Sequence, residues 1–185
     1  MYLHKIEIQG FKSFAQKTTL EFPRPGAGCA LIINGETTNK GTQLKDGTCG
    51  IACVVGPNGA GKSNIVDAIR WVLGEQSLKS LRGKKAEDVI FSGSEQKSRL
   101  GMAQVSMYIN NEDGAMPVDY KEVTISRKVF RNGESEYRIN KSKVRLADVL
   151  LLVAKSNFGQ KSYSIVSQGS IDQVIMANPH ERKDY

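Results

Sequence analysis

Apolar and polar positions alternate over several short stretches of the chain, a pattern typical of half-buried β-strands. Asn132-Gly133 separates two of these stretches and predicts a tight hairpin turn. In the longer of those two, Val123, Ile125 and Val129 are predicted to point inward, and Arg127 interrupts the pattern. The alternation predicts strands over residues 2–9, 18–22, 103–109, 122–130 and 136–139.

Helical spacing of apolar residues appears in two longer segments. The first runs from Lys62 to Leu73 and is ended by Gly74. The second covers 146–154, with a predicted apolar stripe of Leu146, Val149, Leu150 and Val153. A short strand at 164–166 and a short helix around 171–175 are also predicted. Strands and helices together indicate one domain of mixed α/β (α+β) class.

Residues 23–49 have a different texture, because proline, glycine and threonine dominate and the only apolar run is Ala30 to Ile33. Such composition predicts a surface excursion, with an extra hairpin inside it. The segment is long for a plain connection, which favours either a functional loop or an insertion.

Residues 56–63 match the phosphate-loop pattern of Gly, four residues and Gly-Lys-Ser: Gly56-Pro57-Asn58-Gly59-Ala60-Gly61-Lys62-Ser63. The apolar run over 51–55 predicts a buried strand before this loop, and the helix from Lys62 follows it. Glycines let successive backbone N–H groups face a phosphate, and the helix N-terminus adds positive potential. Lys62 would reach the outer phosphates and Ser63 would ligate Mg²⁺, so the sequence predicts a nucleotide site.

Composition and net charge say little about which ligands or macromolecules the protein binds. The chain has 185 residues and a formal charge of +7, which favours anionic ligands or nucleic acid without demonstrating either. Eight Lys and Arg against three Glu lie in 121–145, where a solvated sheet face and a phosphate-backbone patch both remain open. No signal peptide or membrane span is predicted, so the cytoplasm is expected.

The three cysteines, Cys29, Cys49 and Cys53, suggest neither a disulfide framework nor a zinc site. Their number is odd, and the two histidines lie far from them in sequence. Cys53 falls within the apolar run before the phosphate loop and is predicted to be a small core residue.

Hydrolysis by a phosphate-loop protein normally needs an acidic residue after an apolar strand, to hold Mg²⁺ through water and position the attacking water. No stretch of the chain fits that pattern: the strand at 164–166 runs into Ser-Gln, and the one at 105–109 ends in Asn. The chain therefore reads as half of a nucleotide site.

Several motifs, in order, resemble the N-terminal head segment of SMC proteins, the chromosome-structuring ATPases of the ABC type, and the bacterial form most. The resemblance covers the chain except 23–49. The motifs are Gly10-Phe11-Lys12-Ser13-Phe14, the phosphate loop with its helix through Ser77, Ser80-Leu81-Arg82-Gly83, Glu87 to Gly93, Val129 to Tyr137, and Tyr163 to Gly169.

The resemblance implies a head split into two lobes separated by a long coiled coil, with the signature motif and the missing acid on the C-terminal lobe. It implies that two heads, as a homodimer, enclose ATP and Mg²⁺, and that kleisin-type subunits and DNA, held mainly through its backbone, are partners. The expected function is ATP-driven DNA tethering in chromosome condensation, segregation and sister chromatid cohesion, in the nucleoid-associated cytoplasm.

Residue roles follow from the same resemblance. Gln168 matches a glutamine that contacts Mg²⁺ with Ser63, and Arg82 matches an arginine associated with DNA-stimulated hydrolysis. These two and Lys62 are the implied catalytic residues. Lys12 and Ser13 match a turn near the nucleotide, although spacing alone predicts a simple connection with both side chains facing outward. The implied nucleotide-binding residues are Lys12, Ser13, Gly56, Pro57, Asn58, Gly59, Ala60, Gly61, Lys62, Ser63 and Asn64.

Two departures from the family pattern bear on function. Residues 23–49 are mostly an insertion, which enters at the far end of the strand over 51–55, roughly 17 Å from the phosphates. Nucleotide binding is therefore expected to survive it. No heptads are present, so neither coiled coil nor C-terminal lobe is expected within 1–185.

Three other functions are weighed against the SMC head. A coiled-coil ABC-type DNA-repair ATPase fits less well, because the match from the phosphate-loop helix through Arg82 to Phe91 is long. A small-molecule kinase or GTPase lacks support, since neither an Asn-Lys-x-Asp motif nor an arginine-rich lid is found. A truncated head fragment that binds ATP without hydrolysing it efficiently remains open.

Overall fold

The computed structural model describes residues 1–25, 52–156 and 165, and the backbone of two strands between residues 30 and 38. Among the described elements, strands outnumber helices. The elements are β1 (Tyr2–Gln9), β2 (Thr18–Glu21), β3 (Ala30–Ile33), β4 (Glu36–Thr38), β5 (Ala52–Val55), α1 (Lys62–Val72), a 3₁₀ turn (Ala86–Val89), β6 (Met102–Asn110), β7 (Glu122–Phe130), β8 (Ser135–Ile139), β9 (Ser142–Val144) and α2 (Leu146–Lys155).

Six strands form one antiparallel sheet in the order β2-β1-β6-β7-β8-β9. Alternate residues of β1, β6 and β7 point to one face, where they are fully buried. Helix α1 is amphipathic and contributes Ala68, Trp71 and Val72 to the same core. This packing fixes the start of α1, and with it the phosphate loop, relative to the sheet.

The expected hairpin within 23–49 is confirmed at the level of the backbone, since β3 and β4 pair antiparallel. The expected distance of roughly 17 Å applies to the point where this segment joins β5, but β3 does not stay at that end of the strand. Strand β3 runs parallel to β5 along its whole length, from Ala30 opposite Ala52 to Ile33 opposite Val55. Ile33, the last residue of β3, therefore lies at the phosphate-loop end of β5, because parallel strands end at the same edge.

The predicted strand before the phosphate loop is confirmed, but its predicted burial is wrong. Cys53 is exposed, and Val55 is 48% exposed. Parallel strands normally occur with both faces of their sheet covered. Among the described residues nothing covers the face on which Cys53 and Val55 lie, and this exposure is what the periodicity could not reveal.

The other predicted strands and the two predicted helices are confirmed to within about two residues. Arg127 does not leave the inward face of β7, as its charge suggested, but lies there with 8% of its surface exposed. On α2 the predicted stripe is partly wrong, because Leu150 is 42% exposed and Leu152 is buried instead. The elements expected at 164–166 and 171–175 lie outside the described residues, apart from Ile165, which packs on the core.

Within the described ranges, α1 and α2 are both too short to cross a membrane.

Candidate nucleotide site

The phosphate loop connects the end of β5 to the start of α1. Gly59 and Gly61 take φ angles of 83° and 87°, in the left-handed region that glycine enters without strain. Gly61 is the N-cap of α1, with no side-chain hydrogen bond to the first turn and no acidic residue in it. The positive end of the helix thus has no neutralising side chain, which is the arrangement that suits a phosphate.

Lys62 folds back over the loop that precedes it. Its Nζ donates hydrogen bonds to the carbonyl oxygens of Gly56, at 2.7 Å, and Pro57, at 2.8 Å. The ammonium therefore lies over the concave side of the loop, where a phosphate would accept the same donors. Ser63 is exposed at the first turn of α1. A hydroxyl there suits Mg²⁺, which prefers oxygen ligands and keeps several waters.

The turn at residues 10–14 is held beside this loop by backbone pairing and one buried ring. The N–H of Lys12 donates to Val89 O at 2.7 Å, and that of Phe91 donates to Gly10 O at 2.8 Å. Gly10 has φ of 65°, and a Cβ there would lie 2.2 Å from Met102 O, so only glycine fits. Phe11 is fully buried against the Trp71 ring of α1.

Ser13 is exposed and lies directly against the phosphate loop. Its Oγ accepts a hydrogen bond of 2.9 Å from Asn64 Nδ2, and a Cβ on Gly61 would approach it to 2.5 Å. Lys12, in contrast, does not face outward as spacing alone predicted. Its side chain is only 12% exposed, because its Nζ pairs with the carboxylate of Asp67 and donates to Leu81 O.

Arg82 meets the same carboxylate from the other side. Its Nε donates to Asp67 Oδ2 at 3.1 Å, and its Nη2 contacts that oxygen as well as Asn64 Oδ1, at 3.1 Å. Asp67 is 4% exposed and is the acidic residue of α1, one turn beyond Ser63. The two cations therefore converge on a buried carboxylate at the rim of the phosphate loop.

Asp88 shapes the loop that follows Arg82. Its Oδ2 accepts hydrogen bonds from the N–H groups of Lys84, at 2.7 Å, and Lys85, at 2.8 Å. These backbone donors, that of Lys85 first, lower the pKa of the Asp88 carboxyl from its ordinary value. A depression of 410 Å³ opens between this loop, the 10–14 turn and the first turn of α1, and Lys12, Ser13, Asn64 and Arg82 are among the residues that line it.

The fold thus brings Lys12, Ser13 and Arg82, which are distant in sequence, to the phosphate loop and Asn64. Gln168 lies outside the described residues. Asp67 was missed, although a lone acid on the apolar face of the predicted helix was a usable signal. No group of three or more acidic, histidine or cysteine side chains able to hold a metal occurs in the described ranges.

A larger depression, of 740 Å³, lies on the outer face of the six-stranded sheet and is lined by polar residues of β6, β7 and β8. It contains part of the basic window over 121–145. There Glu136 pairs with Arg138 at 3.4 Å and with Lys143 at 3.1 Å, and these cations lower the pKa of its carboxyl, Lys143 first. Such internal pairing favours a solvated sheet face over a phosphate-backbone patch.

Comparison with known proteins gives consistent results. Residues 30–169 match the family model "RecF/RecN/SMC N terminal domain". The chain is 44% identical over its whole length to the chromosome partition protein Smc of Mycobacterium leprae, and spans 13% of that protein. A structure from work on "ATP-driven dimerization and DNA stimulated activation of SMC ATPases" superposes with a TM-score of 0.78 and 33% identity, covering 99% of this chain and 96% of that one.

The Smc head domain of Pyrococcus furiosus, solved with an extended coiled coil and bound to the C-terminal domain of ScpA, is also similar. The TM-score is 0.77 at 33% identity, and the match covers 98% of this chain and 40% of that chain. Both structural matches extend over the phosphate loop, the 10–14 turn and the antiparallel sheet described above.

Proposed function

The chain belongs to the SMC family, as the N-terminal segment of an ABC-type head domain, and on that premise we propose that it forms the ATP-binding half of a composite ATPase site. The observation that carries the proposal is the phosphate loop on an uncapped helix N-terminus, with Lys62 lying over its concave side. ATP would supply the phosphoryl group for hydrolysis, and Mg²⁺ would neutralise its charge.

Each predicted residue has a specific task in this site. The backbone of Gly56 to Ser63 binds phosphate oxygens, and Lys62 exchanges its carbonyl partners for them. Ser63 would hold Mg²⁺, and we assign the same task to Gln168 from its family match. Arg82 and Lys12 place positive charge at the rim, where it would stabilise charge on the outer phosphates.

The exposed face of the sheet that contains β5 supports the proposal that a second lobe packs there and completes the site. Cys53 and Val55 are exposed on a short mixed sheet in which β5 pairs parallel with β3, and parallel strands normally have both faces covered. Leu150 and Leu151 of α2 are also exposed, at 42% and 56%. We propose that a C-terminal head lobe covers β5 and brings the acid that the sequence lacks, so that the chain alone binds ATP with little turnover.

The wider role follows from the relatives. Proteins similar to this chain are named for chromosome partition, dimerise with ATP, are activated by DNA, and bind ScpA. We infer that the complete protein acts as a dimer of heads with a kleisin-type subunit. It would tether DNA through backbone contacts during chromosome condensation and segregation, in the cytoplasm at the nucleoid.

Binding of a fluorescent ATP analogue to the chain tests the proposal. We expect Lys62→Met to weaken binding by about 10- to 100-fold, because charge-assisted hydrogen bonds contribute about 1.5–3 kcal/mol each. Lys79→Met is the matched control, since it removes an exposed lysine of the segment after α1, and it should leave affinity unchanged. Equal affinity of Lys62→Met and the unmodified chain would contradict the site.

The rate of ATP hydrolysis distinguishes a half-site from an enzyme that is active on its own. The chain alone should release phosphate slowly, and a co-expressed C-terminal lobe should raise that rate. If the isolated chain instead turns over ATP efficiently, and Lys62→Ala abolishes that turnover, the half-site proposal is wrong. Aggregation of the chain alone, relieved by the second lobe, would favour the truncated-fragment alternative.

A further inference from the structure

The carboxylate of Asp67 is the most deeply buried charge near the phosphate loop, and the proposed function assigns it no task. It lies on α1, four residues after Ser63 and therefore on the same side of the helix. It is 4% exposed, whereas Arg82, one of its two cationic partners, has a side chain that is 53% exposed. An isolated carboxylate would not be buried in this way, because the cost of desolvation is large unless the charge is paired.

Both cationic partners of Asp67 have unusual backbone conformations. Lys12 has φ of 48° and Arg82 has φ of 54°. In the part of the chain that the structure describes, the only other non-glycine residue with positive φ is Asn140, a residue type that enters this region readily. A left-handed conformation is unfavourable for an ordinary residue and persists only where surrounding contacts enforce it.

Backbone hydrogen bonds hold both turns, among them those from Lys12 N–H to Val89 O and from Arg82 N–H to Lys79 O, and the side-chain contacts of Lys12 and Arg82 meet at one oxygen. Asp67 Oδ2 receives Lys12 Nζ, Arg82 Nε and Arg82 Nη2. Arg82 Nη2 also reaches Asn64 Oδ1, next to Ser63. The Nη1 group of Arg82 donates to nothing within the described ranges, and the side chain lines the 410 Å³ depression beside the phosphate loop. The Nε and Nη2 groups of Arg82 thus bind Asp67, and its Nη1 group is left to bind a ligand.

We propose that Asp67 is a positioning residue of the nucleotide site, whose carboxylate fixes Lys12 and Arg82 in left-handed turns so that Arg82 presents its remaining donors to the outer phosphates of ATP. The proposal rests on the proposed function, since it presumes a nucleotide in the phosphate loop. Asp67 itself does not touch the nucleotide. It acts through Arg82: the hydrogen bonds from Asp67 restrict the Arg82 side chain before ATP binds, so that Arg82 loses less conformational entropy on binding.

A double-mutant cycle on ATP affinity tests this role. The variants are Asp67→Asn, Arg82→Ala and the two combined, with the exposed Asp119→Asn as the matched control. We expect Asp67→Asn to weaken binding of the fluorescent ATP analogue by about 5- to 10-fold. In the Arg82→Ala background the same change should weaken binding by less than about twofold, because the residue through which Asp67 acts is gone.

A merely structural role would give a different result. Asp67→Asn would then lower the melting temperature and weaken ATP binding equally in both backgrounds, and that additivity would overturn the proposal. So would unchanged affinity of Asp67→Asn. If Asp67→Asn does not fold, Asp67→Glu keeps the charge, moves it by one methylene, and is read in the same cycle.

Failure of the proposed function is distinguishable from failure of this inference. If the unmodified chain binds ATP and Lys62→Met does not, the nucleotide site stands whatever Asp67 does. If the unmodified chain does not bind ATP, both proposals are overturned together.

Discussion

Asp88 is a fully exposed carboxylate whose ionised form is stabilised by the backbone of its own loop. Because N–H groups of Lys85 and Lys84 lower its pKa from 3.8, folding favours the ionised form. The stabilisation is therefore present above the unfolded pKa and is lost as pH falls through the lower folded pKa. We expect Asp88→Asn to melt at a lower temperature than the unmodified chain at about pH 7, with the gap closing as the pH falls below 3.8 and through the lowered folded pKa.

Thermal melts across this pH range check the prediction. Asp119→Asn is the control, because its carboxylate is exposed and should open no gap at any pH. A constant difference between Asp88→Asn and the unmodified chain, independent of pH, would show that the lost hydrogen bonds do not depend on the charge of Asp88.

Gly61 is constrained both by its positive φ and by the nearness of Ser13, and comparison with a second glycine separates the two effects. Its φ is 87°, and a Cβ would lie 2.5 Å from Ser13 Oγ. Gly114 lies between β6 and β7 and has φ of 66°, but a Cβ there would meet no atom within 4 Å. Gly61→Ala and Gly114→Ala should therefore both lose about 1–2 kcal/mol of unfolding free energy from backbone strain. Only Gly61→Ala should lose ATP affinity, because Ser13 and the loop must shift apart.

Urea unfolding and ATP titration of both variants check this prediction. Loss of ATP affinity in Gly114→Ala of the same size would mean that general destabilisation, not the contact with Ser13, governs binding.

The end of helix α1 depends on a buried cation from a neighbouring strand. Arg127 Nη1 donates at 2.9 Å to both Trp71 O and Glu75 O, in the region where donors from within the helix run out. The guanidinium lies between the rings of Trp71, at 4.5 Å, and Tyr137, at 4.9 Å. Burial lowers the Arg127 pKa, and Nε has no hydrogen-bond partner among the described residues, so the cation is also costly to bury.

We expect the favourable contacts to outweigh that cost. Arg127→Met keeps the aliphatic stem but loses two charge-assisted hydrogen bonds and both ring contacts, so unfolding free energy should fall by about 1–3 kcal/mol. Arg138→Met on β8 is the control, since its side chain is 53% exposed, and it should change stability by less than about 0.5 kcal/mol. Urea denaturation of both variants decides. Unchanged or greater stability of Arg127→Met would mean that desolvation dominates.

At the level of elements, periodicity predicted nearly all strands and helices, because β1, β6, β7 and α1 each bury one face. It predicted the wrong exposure for residues whose surroundings are formed by segments distant in sequence. The charge of Arg127 predicts exposure, yet its guanidinium is buried against the carbonyl oxygens of Trp71 and Glu75 and two aromatic rings. Cys53 reads as buried by hydropathy, yet no described segment covers it. The parallel pairing of β3 with β5 has no local signal, since it joins segments about twenty residues apart.

The candidate site divides in the same way. The phosphate loop is contiguous, so its sequence predicts both its shape and its chemistry. The inward turn of Lys12 was not predictable from spacing, because its partner Asp67 lies on another element. The resemblance pointed to Lys12 and Ser13 as nucleotide-binding residues and to Arg82 as a catalytic one, and the structure supplies the carboxylate on which Lys12 and Arg82 converge.

For the molecule as a whole, function turns on whether the nucleotide site depends on the β3–β4 hairpin and the rest of residues 25–47. Strand β3 pairs with β5 as far as Val55, immediately before the phosphate loop. The described contacts that shape the loop come instead from α1 and the 10–14 turn, through Ser13 and Asn64. We therefore expect removal of residues 25–47 to leave ATP affinity within about threefold, although loss of β3 lowers stability.

Titration of the shortened chain with the fluorescent ATP analogue checks this expectation, and urea denaturation measures the change in stability separately. Lys62→Met in the shortened chain is the control, and should weaken binding as in the full chain if the same site is in use. A gain of about tenfold or more on deletion would show that the β3–β4 hairpin, whose Ile33 lies at the phosphate-loop end of β5, obstructs the nucleotide. A C-terminal lobe that activates only the shortened chain would mean that the hairpin occupies the lobe's place beside β5.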